Sequence, residues 1–216
     1  MADWNAVRFD PNQCVDHVES LYLKLNEPGG KRALWVKTTI LAGAGRTPVA
    51  EAWAIAFDRD AGHVAAKQVV PFADASFSRT GLDVKVAGVS LTAGRTRGQL
   101  ESGGARIEWD LEFDTRGDPL VPYPYPKMYE GGFPSQKTVT RFPDTRFSGS
   151  YRVGGREVRV DGWKGMQSHN WGKRHTELYA WAHVNQWDNA DDLMLEGFTG
   201  RLKLGPLLAP PLTVLC

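Results

Sequence analysis

The chain has 216 residues, with 26 Lys+Arg against 25 Asp+Glu and 42% hydrophobic residues. That length buries a substantial core, and a balanced charge without a Lys/Arg block excludes a nucleic-acid footprint. The opening "MADWNAVRFDPNQ" has no basic region and no apolar run, and no window reaches membrane-span length, so a cytoplasmic chain without a membrane span is expected. Cys14 and Cys216 stand near the two ends, which argues against a disulfide framework or a cysteine metal site and predicts free thiols.

Period-2 patterns follow from the start. "SLYLKLN" sets Leu21, Leu23 and Leu25 on one face, and "ALWVKTTIL" sets Leu34, Val36 and Ile40 opposite Trp35. In "VAEAWAIAFD" four alanines (50, 52, 54 and 56) line one face, with Glu51, Trp53, Ile55 and Phe57 on the other. A row of alanines leaves room for another sheet or a ligand to lie close. "FADASF" is the best helical stretch, and it is short. "ARIEWDLEFD" alternates strictly, with Ile107, Trp109, Leu111 and Phe113 facing a core and charges facing water, the antiparallel habit.

The segment from Asp118 to Gln136, "DPLVPYPYPKMYEGGFPSQ", carries five prolines and three tyrosines. Proline cannot donate to a ladder, so a long irregular connection is predicted. It is either a rigid crossover or a lid whose Tyr123, Tyr125 and Tyr129 touch a ligand. Gly154-Gly155 between "SGSYRV" and "REVRVDGW" predicts a hairpin. Many short strands with turn signals between them point to an all-β barrel or sandwich.

The stretch Gly165–Gly172, "GMQSHNWG", places His169, Asn170 and Trp171 between glycines. Alone it reads as a polar corner. After it, Tyr179, Trp181, His183, Asn185 and Trp187 share one strand face. Rings with polar handles fill an apolar cavity while offering a few donors and acceptors, as small-molecule pockets do. His175 stands beside Lys173 and Arg174 and reads as solvated. The histidine spacing matches no local zinc pattern, so no metal is expected. Glu51, Asp161 and Glu196 are the candidate acids, since a carboxyl among rings has a raised pKa suited to general acid work. No nucleophile elbow, phosphate loop or dinucleotide fingerprint occurs, so no cofactor is expected.

The opening "ESLYLKLN…RALWVKTTIL…AEAWAIAFD", then "GMQSHNWG" followed by "YAWAHVN", resembles the AttH-like family, which is related to the carotenoid 1,2-hydratases and more distantly to tocopherol cyclase and lipocalin-type Diels–Alderases. The likeness runs from about Val18 to Leu204. It implies antiparallel lipocalin-like (calycin) barrels with a ligand site in or between them. It also implies protonation of an isoprenoid double bond, with the cation trapped by water or an internal hydroxyl. His169 and Trp171 match the His and Trp of the hydratase element. The hydratases add an acid and a tyrosine in the following strand; here "DDLMLEGFTGR" offers Glu196 and no tyrosine, and Tyr179 is the substitute at hand.

Residues 1–161 are expected to form one barrel and 162–216 the start of a second. An incomplete second barrel exposes an edge that pairs with another chain, so a homo-oligomer is an expected state. The expected function is binding of an apolar isoprenoid or polyketide-like molecule in a β-barrel pocket, with hydration, cyclisation or isomerisation of a double bond by acid catalysis. His169, Trp171 and Glu196 are the catalytic candidates. Glu51, Trp53, Asn170, Tyr179, Trp181 and His183 are the ligand-binding candidates. The alternatives are a carrier without chemistry, and a structural domain completed by a partner.

Overall fold

A computed structural model describes residues 3–13, 15–176, 178–191, 193–201, 203–204 and 207–216, so Cys14 lies outside the described residues. Strands β1 (His17–Asn26), β2 (Arg32–Ala42), β3 (Val49–Asp58), β4 (Val64–Pro71), β5 (Ser76–Phe77), β6 (Asp83–Val86), β7 (Val89–Thr92), β8 (Arg95–Ser102), β9 (Ala105–Phe113), β10 (Gln136–Val153) and β11 (Arg156–Gly172) build the main sheet. It is eleven-stranded, in the order β4-β3-β2-β1-β11-β10-β9-β8-β7-β6-β5. A second sheet joins β12 (Leu178–Val184) and β13 (Leu195–Arg201). After a short pair of β14 (Lys203–Leu204) and β15 (Leu207–Leu208), β16 (Leu212–Leu215) adds to β13.

Alternation decides which face of the main sheet is buried. Leu21, Leu23, Leu25, Leu34, Val36, Ile40, Ile107 and Leu111 belong to one core on the concave face. Each such side chain stabilises the fold by roughly 1.5–3 kcal/mol through burial. The four alanines of β3 are in that core too. Their small size lets the sheet curl until β4 meets β8, where the Lys67 amide donates to Ser102 Oγ at 3.1 Å. What the alanines admit is therefore the far side of the same sheet. The result is a curled half-barrel with a filled interior.

The predicted turns and irregular pieces form as the sequence indicates. Gly154 and Gly155, at φ 55° and 88°, make the two-residue turn between β10 and β11, with Val153 opposite Arg156. That doubly positive φ needs glycine and matches strand twist. "FADASF" gives one turn of 3-10 helix at Phe72–Asp74. The proline-rich connection contains the single turn α1 (Lys127–Glu130) and one bridge, where Leu120 exchanges backbone hydrogen bonds with Thr140.

"GMQSHNWG" is not a corner. It is the C-terminal half of β11, paired with β1 on one side and β10 on the other. Its end glycines serve close approach: a Cβ at Gly165 would stand 2.0 Å from the Lys24 carbonyl oxygen, and one at Gly172 2.1 Å from that of Ser135. β11 also runs across Asp161–Gly162 without leaving the sheet. Gly162, at φ 64°, is the extra residue of a bulge between the pairs Ser148–Asp161 and Phe147–Trp163. The second sheet starts at Leu178.

Candidate functional site

Because successive strand residues point to opposite faces, β11 splits the motif between two environments. Gln167, His169 and Trp171 face the concave side; Ser168 and Asn170 face the convex side. On the concave side His169 is fully buried. Its Nδ1 lies 2.6 Å from the Trp4 carbonyl oxygen and its Nε2 2.8 Å from Glu19 Oε1. Carbonyl and carboxylate oxygens only accept, so both ring nitrogens donate and the pair is imidazolium–carboxylate. Burial pushes the Glu19 carboxyl up, but hydrogen bonds from His169 and His17, with the Arg8 amide, outweigh it and hold it at about 2. Asn5 and Gln167 exchange amide hydrogen bonds of 2.9 and 3.0 Å beside this pair. These contacts fasten residues 4–9 across the sheet. The Trp171 ring lies 4.7 Å from His169 and packs on Tyr129, which stacks in turn near Tyr123.

The cavity lies on the other face. It holds about 370 Å³ between the convex side of the main sheet, the small sheet and the proline-rich connection. Tyr22, Trp35, Tyr123, Phe133, Trp181 and Phe198 supply rings to its walls; Lys37, Asn170, His175 and Tyr179 supply polar atoms. The small sheet places Tyr179, Trp181, Phe198, Leu212 and Val214 toward it. Of the three loop tyrosines, Tyr123 lines the cavity, Tyr129 is buried behind it and Tyr125 is exposed. Burial pushes Tyr123 up to about 12, so its hydroxyl stays neutral and donates to the Gln136 carbonyl at 3.0 Å.

Glu196 is buried just behind this cavity. Trp181 Nε1 donates to its Oε1 at 3.2 Å, and Thr140 Oγ1 is 2.8 Å from its Oε2. Desolvation raises its pKa above the ordinary carboxylate value; Thr140, Trp181 and the Lys24 charge oppose that rise without cancelling it. Thr140 Oγ1 is also 3.2 Å from Ser168 Oγ, and Ser168 stands opposite Tyr22 in the β1–β11 ladder. Burial keeps the Tyr22 phenol protonated, while Ser168 Oγ donates to the Val139 carbonyl at 3.0 Å. Hydroxyl groups thus run from Glu196 through Thr140 to Ser168, and Tyr22 stands opposite Ser168 on the cavity wall.

The other candidates disperse. Glu51 pairs with Lys67 at 2.6 Å and accepts from Trp53 Nε1 at 3.0 Å, on the convex face of β3 beyond the cavity lining. His183 donates from Nε2 to the Pro143 carbonyl at 2.8 Å, and its Nδ1 has no partner among the described residues. Burial and the Lys24 charge lower His183 to about 4, so the ring is neutral. Asp161 is exposed beside Arg159. His175 is exposed, as its charged neighbours indicate, and stands at the cavity rim, where partial desolvation and Lys37 lower its pKa. The structure therefore groups Glu196, Asn170, Tyr179 and Trp181, and sets His169 with Trp171 across the sheet from them. The residues missed from sequence are Tyr22, Lys37, Thr140 and Ser168, which only register unites, and Glu19. Glu19 left a signal, since it falls on the same strand face as Leu21 and Leu23.

Among the described residues no cluster of three His, Cys, Asp or Glu could hold a metal ion, and no helix is long and apolar enough to cross a membrane. No family model matches the chain. Two uncharacterized proteins of Mycobacterium tuberculosis, from strains CDC 1551 / Oshkosh and H37Rv, are 26% identical over 196 residues, 88% of this chain and 56% of theirs. The chain thus spans about half the length of the curated relatives it matches. Among solved structures, a candidate AttH from Nitrosomonas europaea matches with a TM-score of 0.65 at 17% identity, over 97% of this chain and 69% of that one. Kievitone hydratase from Nectria haematococca matches with a TM-score of 0.53 at 11% identity, over 94% and 65%. The fold is therefore AttH-like, an architecture it shares with a hydratase.

Proposed function

We propose that the cavity binds an apolar, isoprenoid or polyketide-like molecule and that Glu196 is the acid that protonates a double bond in it. The single observation that carries this reading is a buried carboxyl of raised pKa joined by hydroxyl groups to a ring-lined cavity. A protonated Glu196 donates to Thr140 and Thr140 to Ser168; Ser168 turns its hydroxyl from the Val139 carbonyl to Tyr22 and restores the phenol proton that Tyr22 gives up at the wall. The cation formed faces the Trp181 ring, whose π-face stabilises positive charge, in a space that rings and prolines keep poor in water. Capture by water gives hydration, capture by an internal hydroxyl gives cyclisation, and proton loss gives an isomer. Asn170, Tyr179 and Trp181 hold the ligand. His169 and Trp171 act as positioning residues through the Trp171–Tyr129–Tyr123 stack. The small sheet is, in this reading, the beginning of a second barrel.

A carrier without chemistry is the second reading. It is favoured by one fact: both Glu196 oxygens are engaged by Thr140 and Trp181 behind the wall. Incubation with a lipid extract in heavy-oxygen water, followed by mass spectrometry of bound and released molecules, separates the two. A product carrying the heavy oxygen, or an isomer missing from the no-protein control, is the expected result. Retention of a ligand of unchanged mass with no new product would leave only the carrier.

A further inference from the structure

The polar groups of the cavity are not scattered. Across the convex face, Lys37, Tyr22, Ser168 and Thr140 stand directly opposite one another on β2, β1, β11 and β10. One end of this row is basic. Lys37 lines the cavity and His175 stands close enough for its charge to be felt. The other end is the Glu196 carboxyl, bound to Thr140. Three strand spacings separate the ends, about 14 Å at about 4.8 Å each.

Lys37 has an unusual position for an ammonium group. Burial weakens its hold on the proton, and the nearest carboxylate, Glu51, is already taken by Lys67 at 2.6 Å. Lys67 in turn lies over the Trp53 ring, 4.3 Å from its centre. Among the described residues this corner therefore carries Lys37 and Lys67 against Glu51. Lys37 forms no ion pair among the described residues. Holding a partly desolvated, unpaired charge against an apolar cavity is costly, and a ligand anion is the partner that would offset it.

We propose that the cavity takes an amphiphile: an apolar, unsaturated chain or ring system with one carboxylate head, the head on Lys37 with His175 beside it and the body running past Tyr22 and Trp181 toward Glu196. This rests on the ligand-binding reading above and adds the head group and the direction of the molecule. It places the anion at the far end from Glu196, so the ligand's own charge does not hinder ionisation chemistry there. Tyr22, which presents the proton, stands one strand spacing (about 4.8 Å) from Lys37 in the ladder, so the reacting double bond is one near the head.

Farnesoic acid and its methyl ester are the probes, with affinity read by calorimetry on the intact chain. The acid should bind about tenfold or more tighter than the ester, the range expected for one charged contact. The preference should collapse toward one in Lys37→Met and return in Lys37→Arg. The comparison in the unsubstituted protein needs no variant to fold. Equal binding of both, unaltered in Lys37→Met, overturns the head-group assignment while the cavity remains a ligand site. Binding of neither overturns the ligand site and the head-group assignment together.

Discussion

Glu196 and Glu19 are two buried glutamates that the fold drives in opposite directions. Glu19 is surrounded by donors and is held at about 2. Glu196 has two neutral donors and a more distant Lys24, and burial prevails. Protonated Glu196 is the active form in the proposed chemistry, so turnover should be full below its raised pKa and decline as pH rises through it. Glu196→Gln has no proton to give and should lose roughly 10²-fold or more in turnover, with ligand binding retained. A pH–rate profile and a binding isotherm on the same variant check both halves; undiminished turnover in Glu196→Gln would remove it from the mechanism. Glu19→Gln acts differently, leaving the His169 imidazolium without its anion. Its expected effect is a loss of about 3 kcal/mol or more in stability, read by urea unfolding. The sign with pH follows from the lowered value: the Glu19 contribution is complete above its ordinary 4.5 and is lost as pH falls toward about 2.

The small sheet is held to the large one by few polar ties. His183 donates to the Pro143 carbonyl, Asn185 to the Gly165 carbonyl at 2.8 Å, and Lys24 to the His183 carbonyl at 3.0 Å. Thr140 donating to the Glu196 carboxylate is a further tie, whose raised carboxyl takes up its proton as pH falls; His183 is the tie that weakens in mild acid. Its folded pKa is depressed from 6.5 to about 4, so the unfolded chain binds this proton more readily. Its contribution is therefore complete above 6.5 and lost as pH falls to about 4. The protection factors of β12 and β13 amides, exchange rates corrected for their intrinsic fall with pH, should drop across that window, while β1 and β11 stay protected until the Glu19 window below it. A protection factor that is flat from pH 7 to 4 in β12, or follows the same course in His183→Asn, would refute this docking role. The elements themselves were legible: strict alternation marks β1, β2, β3 and β9, and the paired glycines mark the β10–β11 turn. What alternation cannot give is which second sheet covers a strand's outer face. His169 and Asn170 are adjacent in sequence, yet the pleat sends one to the N-terminal segment and the other to the cavity. Tyr22, Ser168 and Thr140 come from three strands, and no local pattern records that they are opposite each other.

At the scale of the molecule, the two sheets differ in how their faces are covered. The concave face of the large sheet is filled by its own curl. The small sheet turns Tyr179, Trp181, Phe198, Leu212 and Val214 toward the cavity. Alternation then puts Leu178, Ala180, Ala182, Leu195 and Leu215 on its opposite face. Leu178 is 62% exposed, Leu195 37% and Leu215 70%. Thr199, Thr213 and Arg201 share this outer face, so it is mixed, but its exposed leucines form an apolar patch that attracts another apolar surface. Its outer strands β12 and β16 also leave backbone donors and acceptors open to a further strand. The chain should therefore self-associate with rising concentration in sedimentation velocity. Leu195→Lys with Leu215→Lys charges the bare face only and should shift the distribution toward monomer, because bringing two such faces together would bury unpaired ammonium groups. Ligand binding should survive in this variant, since neither residue lines the cavity. A monomer at every concentration in the unsubstituted chain would mean that this face tolerates water, and the association argument would fall with it.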